Sequence, residues 1–555
     1  MTRHRKLTSR FIPFLLLSCS LLAAAHLFAG EEETRKNLLA LTGDNFKEKK
    51  AAVDALAQTG DTRLIQAFDD FSKGNLYLWK GQLVSAPETV NVNGVKSAKL
   101  LDPLTRKGIQ ENSQDVVVSI KDLKEVDVGA KDRLLVRDAM KLLKFFDPDP
   151  ERRISAVRDV GDSGNESSMP TLTSLLEREK DERIKRMIHE SILLIRLGTD
   201  KPGPEGRVEA ARQLGALAVA RALPKLKVLA ASEKDPESAR VFSEAVKKIE
   251  SWQSTADSIK TVFSGMSLGS ILVLMALGLS IIFGLMGVIN MAHGELMMIG
   301  AYATFLTQKA FEAWLPPSAF DYYFIVAIPV AFFASAFVGY LIEVLVIRHL
   351  YGRPLETLLA TFGISLVLIQ AVRLQFGDNI TVNSPHWLQG GAEVMQDVVL
   401  PYVRCFIIGF CGLCILLMYF IMGKTKLGLL LRATTQNRGM AASLGVHTRR
   451  IDGYTFALGA GLAGMAGCAL TQIGGVTPDM GQNYIVDSFL VVVTGGVGKL
   501  AGAIWAGIGL GCLNKLLEPT FQAVWAKVLI LIAVVLFLQW RPSGLFPAKG
   551  RLADV

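Results

Sequence analysis

Charge is scarce over the second half of this 555-residue chain. Acidic and basic residues are dense from about Glu31 to Asp257 and thin out beyond. With 50% of residues hydrophobic, 20% charged and a mean hydropathy of +0.34, the chain is too apolar for an ordinary soluble protein of its size. Cysteine is rare as well: there are six, and none lies between Cys19 and Cys405. That excludes a disulfide framework in the charged part. Cys411 and Cys414 form a C-x-x-C, but inside an apolar run and without a second pair, so they read as small packing residues.

A nucleotide loop is also missing. Gly498-Lys499 approaches a P-loop, yet Val493 stands where the first glycine is needed and Leu500 where Ser or Thr is needed. Gly459-Ala460-Gly461-Leu462-Ala463-Gly464 fits G-x-G-x-x-G, but lies in an apolar run with no preceding strand or distal acid, so it reads as helix packing. His293-x-Glu295 has no Pro-Cys-x-x-Cys partner of the kind zinc deaminases need. The chain is therefore expected to be no enzyme and to hold no metal or cofactor, and any ATP and Mg chemistry would have to lie in a partner. The formal charge of +9 fits Lys and Arg gathered in loops on one side of a membrane, and nucleic acid is not an expected partner.

What is present divides into three parts. Arg3, His4, Arg5, Lys6 and Arg10 precede an apolar run from Phe11 to Ala29. Residues 1–29 are thus expected to be a signal peptide, cut after Ala25 or Ala29, or a signal anchor; either would export the charged part behind it. Within 31–255, three segments look alike: Lys50–Leu56 near Gly60, Arg153–Val160 before Gly161, and Arg207–Leu214 before Gly215. Pro170 and Pro224 each open a further apolar helix nine residues on. A helix, a glycine stop and a proline-started helix predict an exported, extracytoplasmic helical-repeat domain of HEAT-like type. The β-branched Val116–Ile120 and the Asn93-Gly94 turn dipeptide predict a small β insertion between about Leu76 and Val128.

Residues 256–548 carry apolar runs long enough to cross a bilayer at about 263–286, 294–310, 324–348, 357–375, 401–422, 452–473, 485–510 and 522–540. The expected fold class is all-α: a polytopic helical membrane permease of about eight spans, some broken, behind the exported domain. The run 485–510 is interrupted at Thr494–Lys499 and so can be two halves. Arg348, His349 and Arg353 after the third span, and Lys424, Lys426, Arg432, Arg438, Arg449 and Arg450 after the fifth, mark one side as cytoplasmic. Asp378, Glu393 and Asp397 then face out, as does the start of the first span. The basic tail of Arg541, Lys549 and Arg551 conflicts with eight spans unless the seventh is split. Gly459, Gly461, Gly464 and Gly467, with Gly507 and Gly511, are expected to let helix backbones approach closely within the membrane.

Two polar stretches stand out. Gly287–Glu295 holds Asn290, His293 and Glu295, and reads either as a polar turn near the cytoplasmic surface or as a break in a helix lining a pathway or gate. Thr361, Ser365, Gln370, Thr471 and Gln472 are further candidates for groups that replace a solute's lost water. The loop 424–451 includes a short amphipathic segment with Arg432, Arg438, Ala441, Ala442, Leu444 and Gly445. Small residues let a partner approach, and arginines pair with its carboxylates.

At these residues the chain resembles the permeases of the branched-chain amino acid and urea ABC importers. The matching motifs are Gly-Val-Ile-Asn-Met-Ala-His-Gly-Glu (287–295), Ala-Thr-Phe-Gly-Ile-Ser-Leu-Val-Leu (360–368), the Ala-Ala-x-Leu-Gly-Val loop (441–446) and Arg-Pro-Ser-Gly-Leu-Phe (541–546). Met291, Asn383–Trp387 and the long front domain resemble the urea branch. The resemblance implies an inner-membrane importer whose loop 424–451 couples to ATPases; Gly439 departs from the acidic residue that often opens such a motif. It implies a second permease subunit, two ABC ATPase subunits and a periplasmic binding protein as partners, besides membrane lipid. It implies urea as cargo, with branched-chain amino acids or short-chain amides as the alternative. A reading of another class is a membrane-anchored scaffold or sensor working through the repeat domain.

Overall fold

The computed structural model describes residues 32–546 except 44, 88, 93–94, 112–113, 165, 200–205 and 396–397. The leader, the Asn93-Gly94 turn and the tail residues Lys549 and Arg551 lie outside the described residues. The chain divides into two compact units, Met1–Gln253 and Ser254–Val555.

In the first unit, residues 32–40 are helical (α1), followed by α2 (Phe46–Gln58) and α3 (Leu64–Lys73). The Asn45 side chain caps α2 by accepting the Lys47 N–H. Leu38, Leu56, Phe68 and Phe71 pack with Val136 and Leu143 of α4 (Ala130–Leu143). Among the described residues, eight short strands separate α3 from α4. β1 (Leu76–Trp79) pairs antiparallel with β2 (Gln82–Ser85) and with β8 (Lys124–Glu125). β3 (Thr89–Val92), β4 (Val95–Lys99) and β7 (Val117–Ser119) form a second sheet in that order, and β5 (Gln110–Glu111) pairs with β6 (Gln114–Asp115). Leu100, Leu123 and Val84 fill the space beside them.

Beyond α4 come α5 (Pro150–Ser163), α6 (Met169–Arg178), α7 (Glu182–Leu197), α8 (Arg207–Ala216) and α9 (Leu223–Ser232). Pro170 and Pro224 sit in the first turns of α6 and α9, where a missing N–H leaves no bond unmade. Of the three expected glycine stops, Gly60 does follow the end of α2, left-handed at φ +69°, but the other two are corrections. Gly161 and Gly215 lie inside α5 and α8, not at their ends. A Cβ on Gly161 would come within 2.6 Å of Ser191 Cβ, and one on Gly215 within 2.8 Å of Ala245 Cα. Both glycines exist for close helix contact; α5 ends at Gly164, which is left-handed at φ +67°.

The division between units falls inside α10 (Pro236–Met286). The second unit continues with α11 (His293–Trp314), α12 (Tyr323–Leu345), α13 (Pro354–Phe376), a hairpin of β9 (Gly391–Met395) and β10 (Val398–Pro401), and α14 (Tyr402–Lys424). Then come α15 (Lys426–Gln436), α16 (Arg438–Ser443), α17 (Thr448–Leu470), α18 (Met480–Gly495) and α19 (Leu500–Trp540). Among the described residues, six helical stretches are long and apolar enough to cross a membrane, against the eight runs expected. Their places are α10, α12 with its flanks, α13, α14, α17 and α19. α11 is missing from them because it carries His293, Glu295, Gln308, Lys309 and Glu312; α18 is missing because the run 485–510 breaks at Gly496–Lys499.

α19 is two helices. Gln522 has φ +62° and ψ 159°, which no helix accommodates. A straight helix of 41 residues would put Trp540 about 60 Å from Leu500. Instead the Leu545 N–H donates to Thr494 O at 2.8 Å and the Phe546 N–H to Gly495 O at 3.2 Å. The chain therefore reverses at Gln522 and returns to the turn between α18 and α19. Gly498 of that turn touches Gly284 near the end of α10. Arg541 thus lies at the end of the bundle where α10 finishes.

Candidate functional site

The motif at 287–295 is where the bundle departs from plain helices. Gly287 takes φ +68°, which ends α10. The chain then crosses to α11 through an extended stretch with two side-chain ties. Asn290 Oδ1 accepts the Ala292 N–H at 3.0 Å, and Thr361 Oγ1 accepts the Met291 N–H at 3.1 Å. Thr361 stands seven residues into α13, about 10 Å along it. Leu296 O accepts from Ser335, halfway along α12, at 2.9 Å. Of the two readings of this stretch, the structure has the break inside the bundle rather than a surface turn, and α11 begins at depth. Its first turn abuts that of α18: a Cβ on Gly481 would come within 2.5 Å of the Gly294 carbonyl carbon. Neither helix start carries a side-chain cap bond from its N-cap residue, Ala292 or Asp479. Two helix N-termini, each with partial positive charge, so converge between α10 and α13.

Asn290, His293 and Glu295 are all at most 1% exposed. They do not form one cluster. His293 and Glu295 are two positions apart, so they point about 200° away from each other around α11. His293 Nε2 lies 3.1 Å from Met275 O on α10, whereas Glu295 faces the Ser365 hydroxyl on α13. Asn290 Nδ2, His293 Nδ1 and Glu295 Oε2 are buried without a hydrogen-bond partner. Buried polar atoms left in this way are uncommon, and each calls for an explanation such as a bound water or ion.

On α13, Thr357, Thr361, Ser365 and Ile369 are buried at four-residue spacing, one face turned into the bundle. Gln370 is one residue off that face and is exposed, which corrects its expected place beside Thr361 and Ser365. Thr357 was missed, although the spacing alone would have found it. Thr471 and Gln472 belong to a different centre. Thr471 Oγ1 donates to Cys468 O at 2.8 Å, and Gln472 Nε2 donates to Thr471 Oγ1 at 3.2 Å and to the Tyr323 hydroxyl at 3.4 Å. Tyr323 donates to Asn383 O at 2.5 Å, and the Asn383 N–H donates to Gln308 Oε1 at 3.0 Å. Gln308 is thirteen residues beyond Glu295, about 20 Å along α11. Two polar centres therefore sit toward opposite ends of one buried helix. Tyr323 and Gln308 escaped the sequence reading because each lies in a short polar stretch at the edge of an apolar run, Asp321–Tyr323 and Thr307–Lys309, which reads as a helix end.

Glycines make this packing possible. A Cβ on Gly464 would meet Ser335 Cβ and Ala331 O at 2.6 Å, and one on Gly459 would meet Gly278 O at 2.7 Å. Gly461 is covered by Phe332, and Gly467 by the Met297 carbonyl. Gly507 and Gly511 face Val273 and Gly269 of α10. All six lie at helix crossings.

The basic loop folds into α15 and α16. Asn437 Oδ1 caps α16 by accepting the Met440 N–H at 2.9 Å. Gly445 closes it at φ +84°: the Gly445 N–H reaches Ala442 O at 3.0 Å and the Val446 N–H reaches Ala441 O at 3.1 Å. These two bonds make a Schellman end. Ala441 is buried; Ala442 is exposed, and Met440 and Leu444 are 58% and 78% exposed. Arg432 is exposed. Arg438 is a correction to the expected set. It is not free to pair with a partner's carboxylate, because it binds Asp452 within this chain, Nη2 to Oδ2 at 2.5 Å, and lies 4.1 Å over the Tyr351 ring. Asp452 was missed, although a lone acid within a span is a functional signal. Cys411 and Cys414 are buried free thiols, and the described residues hold no group of three or more potential metal ligands.

Comparison with known proteins bears on this architecture. Residues 261–538 match the family model of the branched-chain amino acid transport system permease component. The chain belongs to this permease family. It is similar to the high-affinity branched-chain amino acid transport system permease protein BraD of Pseudomonas aeruginosa, 29% identical over 293 residues that cover 52% of this chain and 95% of the relative. LivH of Escherichia coli is 30% identical over 300 residues, covering 52% of this chain and 94% of LivH. LivM of the same organism is 24% identical over 304 residues, covering 51% and 69%. No solved structure matches. The permease's second unit thus corresponds to nearly the whole of BraD or LivH.

Proposed function

We propose that this permease is one membrane subunit of an ABC importer of the inner membrane, paired with a second permease, driven by two partner ATPases and fed by a periplasmic binding protein. The observation that carries this reading is α16, a capped, Schellman-closed helix that presents Met440, Ala442 and Leu444 to solvent within a basic loop of a chain matching the permease family. An exposed apolar ridge on a helix is the form in which helix-in-groove docking is read. ATP-driven closure of the partners moves α16, and the bundle alternates access around the break at 287–295, where two half-helix starts meet beside α13. Cysteines placed at Met440 or Ser443 in the assembled importer are expected to cross-link to an ATP-binding subunit. Absence of any such product from a transporting complex ends the reading.

The relatives' names favour branched-chain amino acids as cargo over urea. Paired helix N-termini suit a carboxylate, which gives this choice a physical basis. Urea stays as a second reading for one reason. Outside ion pairs, the buried polar side chains around the break and at the Gln472 centre are neutral except Glu295, which suits an uncharged hydrogen-bonding solute. Uptake of labelled leucine and labelled urea in a deletion strain carrying this gene separates the two, and leucine uptake without urea uptake is the expected result. The front unit, outside the matched residues, is read as an extracytoplasmic HEAT-like docking module.

A further inference from the structure

Three features lie close together at the foot of α17. Arg438 opens α16 and forms two bonds to Asp452, Nη2–Oδ2 at 2.5 Å and Nη1–Oδ1 at 3.3 Å. Its guanidinium stacks on Tyr351, just beyond α12. Beside it Arg348 Nη2 donates to Glu343 Oε2 at 2.9 Å, and Glu343 lies against Gly453. Asp452 and Glu343 are 5% and 1% exposed. Two acids and two arginines are thus matched one to one where α12, α16 and α17 meet.

We infer that the Arg438–Asp452 pair, backed by Tyr351, is the latch that carries movement of α16 into α17. This rests on the proposed coupling role of α16. α16 has six residues, too few to be a stable helix alone. It is bounded by two soft joints, extended Asn437 and left-handed Gly445. Of its own side chains only Ala441 is buried. A push on Met440 or Leu444 would therefore fold the loop at its joints and be lost, unless something ties α16 to the bundle. The planar fork of Arg438 does so with two bonds and a stacked face, a geometry lysine does not reproduce. Asp452 lies in the first turns of α17, which packs on α10 through Gly459 and on α11 and α12 through Gly461, Gly464 and Gly467. The helix ends about 30 Å away, next to Thr471 and Gln472 and their bond to Tyr323. One rigid element thus links the partner-facing loop to the far polar centre.

The test uses the whole importer in liposomes, reading solute transported per ATP hydrolysed and the ATPase that copurifies. With the latch residues unchanged, the importer must show ATP-driven transport and its Met440→Cys form must cross-link to the ATPase; failure of either refutes the coupling role and the latch with it. Given that, Asp452→Asn and Arg438→Ala are each expected to lower transport per ATP at least tenfold with the ATPase still bound. Arg438→Lys is expected to fall between them and wild type. The exchange Arg438→Asp with Asp452→Arg is expected to recover at least a third of the ratio. Single variants with an unchanged ratio, or an exchange no better than either single change, would overturn the latch. Tyr351→Leu covers the case of a non-folding single variant: it leaves the ion pair in place, and a ratio equal to wild type's counts against the proposal.

Discussion

Gly464 shows how little freedom a single position has in this bundle. Its missing Cβ is the space into which Ser335 and Ala331 of α12 fit. Gly464→Val is expected to force α12 away from α17 and to abolish the monodisperse peak of detergent-extracted protein on size exclusion. Overpacking of this kind costs about 1–3 kcal/mol, and more where the obstacle is backbone. Gly409→Ala and Gly412→Ala on α14, with nothing within 4 Å of the new carbon, are expected to leave that peak intact.

In the front unit, Asp102 stands at a turn where partial burial alone would raise its carboxyl. The Thr105 N–H, the Arg35 guanidinium and the Leu104 N–H outweigh that and hold it below the usual carboxylate value. A lowered folded-state value means the carboxylate stabilises the turn above about pH 4 and that this contribution is lost as pH falls below it. Hydrogen exchange at Leu104 and Thr105 is expected to lose protection across that interval. Asp102→Asn is expected to show little change over the same range.

At the scale of elements, the break between α10 and α11 is held by few bonds, so each is exposed to mutation. Thr361→Val keeps the shape of the side chain but removes the acceptor of the Met291 N–H. A loss of about 1–2 kcal/mol of local stability is expected, read as faster exchange of the Met291 and Ala292 amides. The tail of α19 is held in a similar way. Gly496 has φ +98°, and a Cβ there would come within 2.5 Å of Phe546 O. Gly496→Ala is expected to release the segment 541–546, read as faster hydrogen exchange of the Leu545 and Phe546 amides. The Arg-Pro-Ser-Gly-Leu-Phe motif therefore has a mechanical task, closing the turn between α18 and α19.

For the whole molecule, the reversal at Gln522 and the bonds from Leu545 and Phe546 place the tail at the end of the bundle where α10 finishes. Single cysteines at Met440 and Ser543 are expected to react with an impermeant thiol reagent only from the cytoplasmic side. A cysteine at Val394, in the exposed hairpin of β9 and β10, is expected to react only from outside. Labelling of Ser543→Cys from the side of Val394→Cys would refute the folded-back second arm.

The division into a charged front and an apolar bundle was legible in the residues alone, because burial in lipid demands long runs that carry few charges. So were the glycine-lined helix crossings, the strands between Leu76 and Glu125, and the capped loop helix that ends at Gly445, because each arises from local chemistry. The residues did not show which glycines stop a helix and which let one pass: Gly161 packs against Ser191 inside α5, while Gly164 takes a left-handed φ at its end. Nor did they show that α11 begins inside the bundle, that His293 and Glu295 face apart, that Gln370 points outward, or that Arg438 is bound by Asp452. Those facts depend on depth, rotation and pairing between segments far apart in the chain, and only tertiary packing sets them.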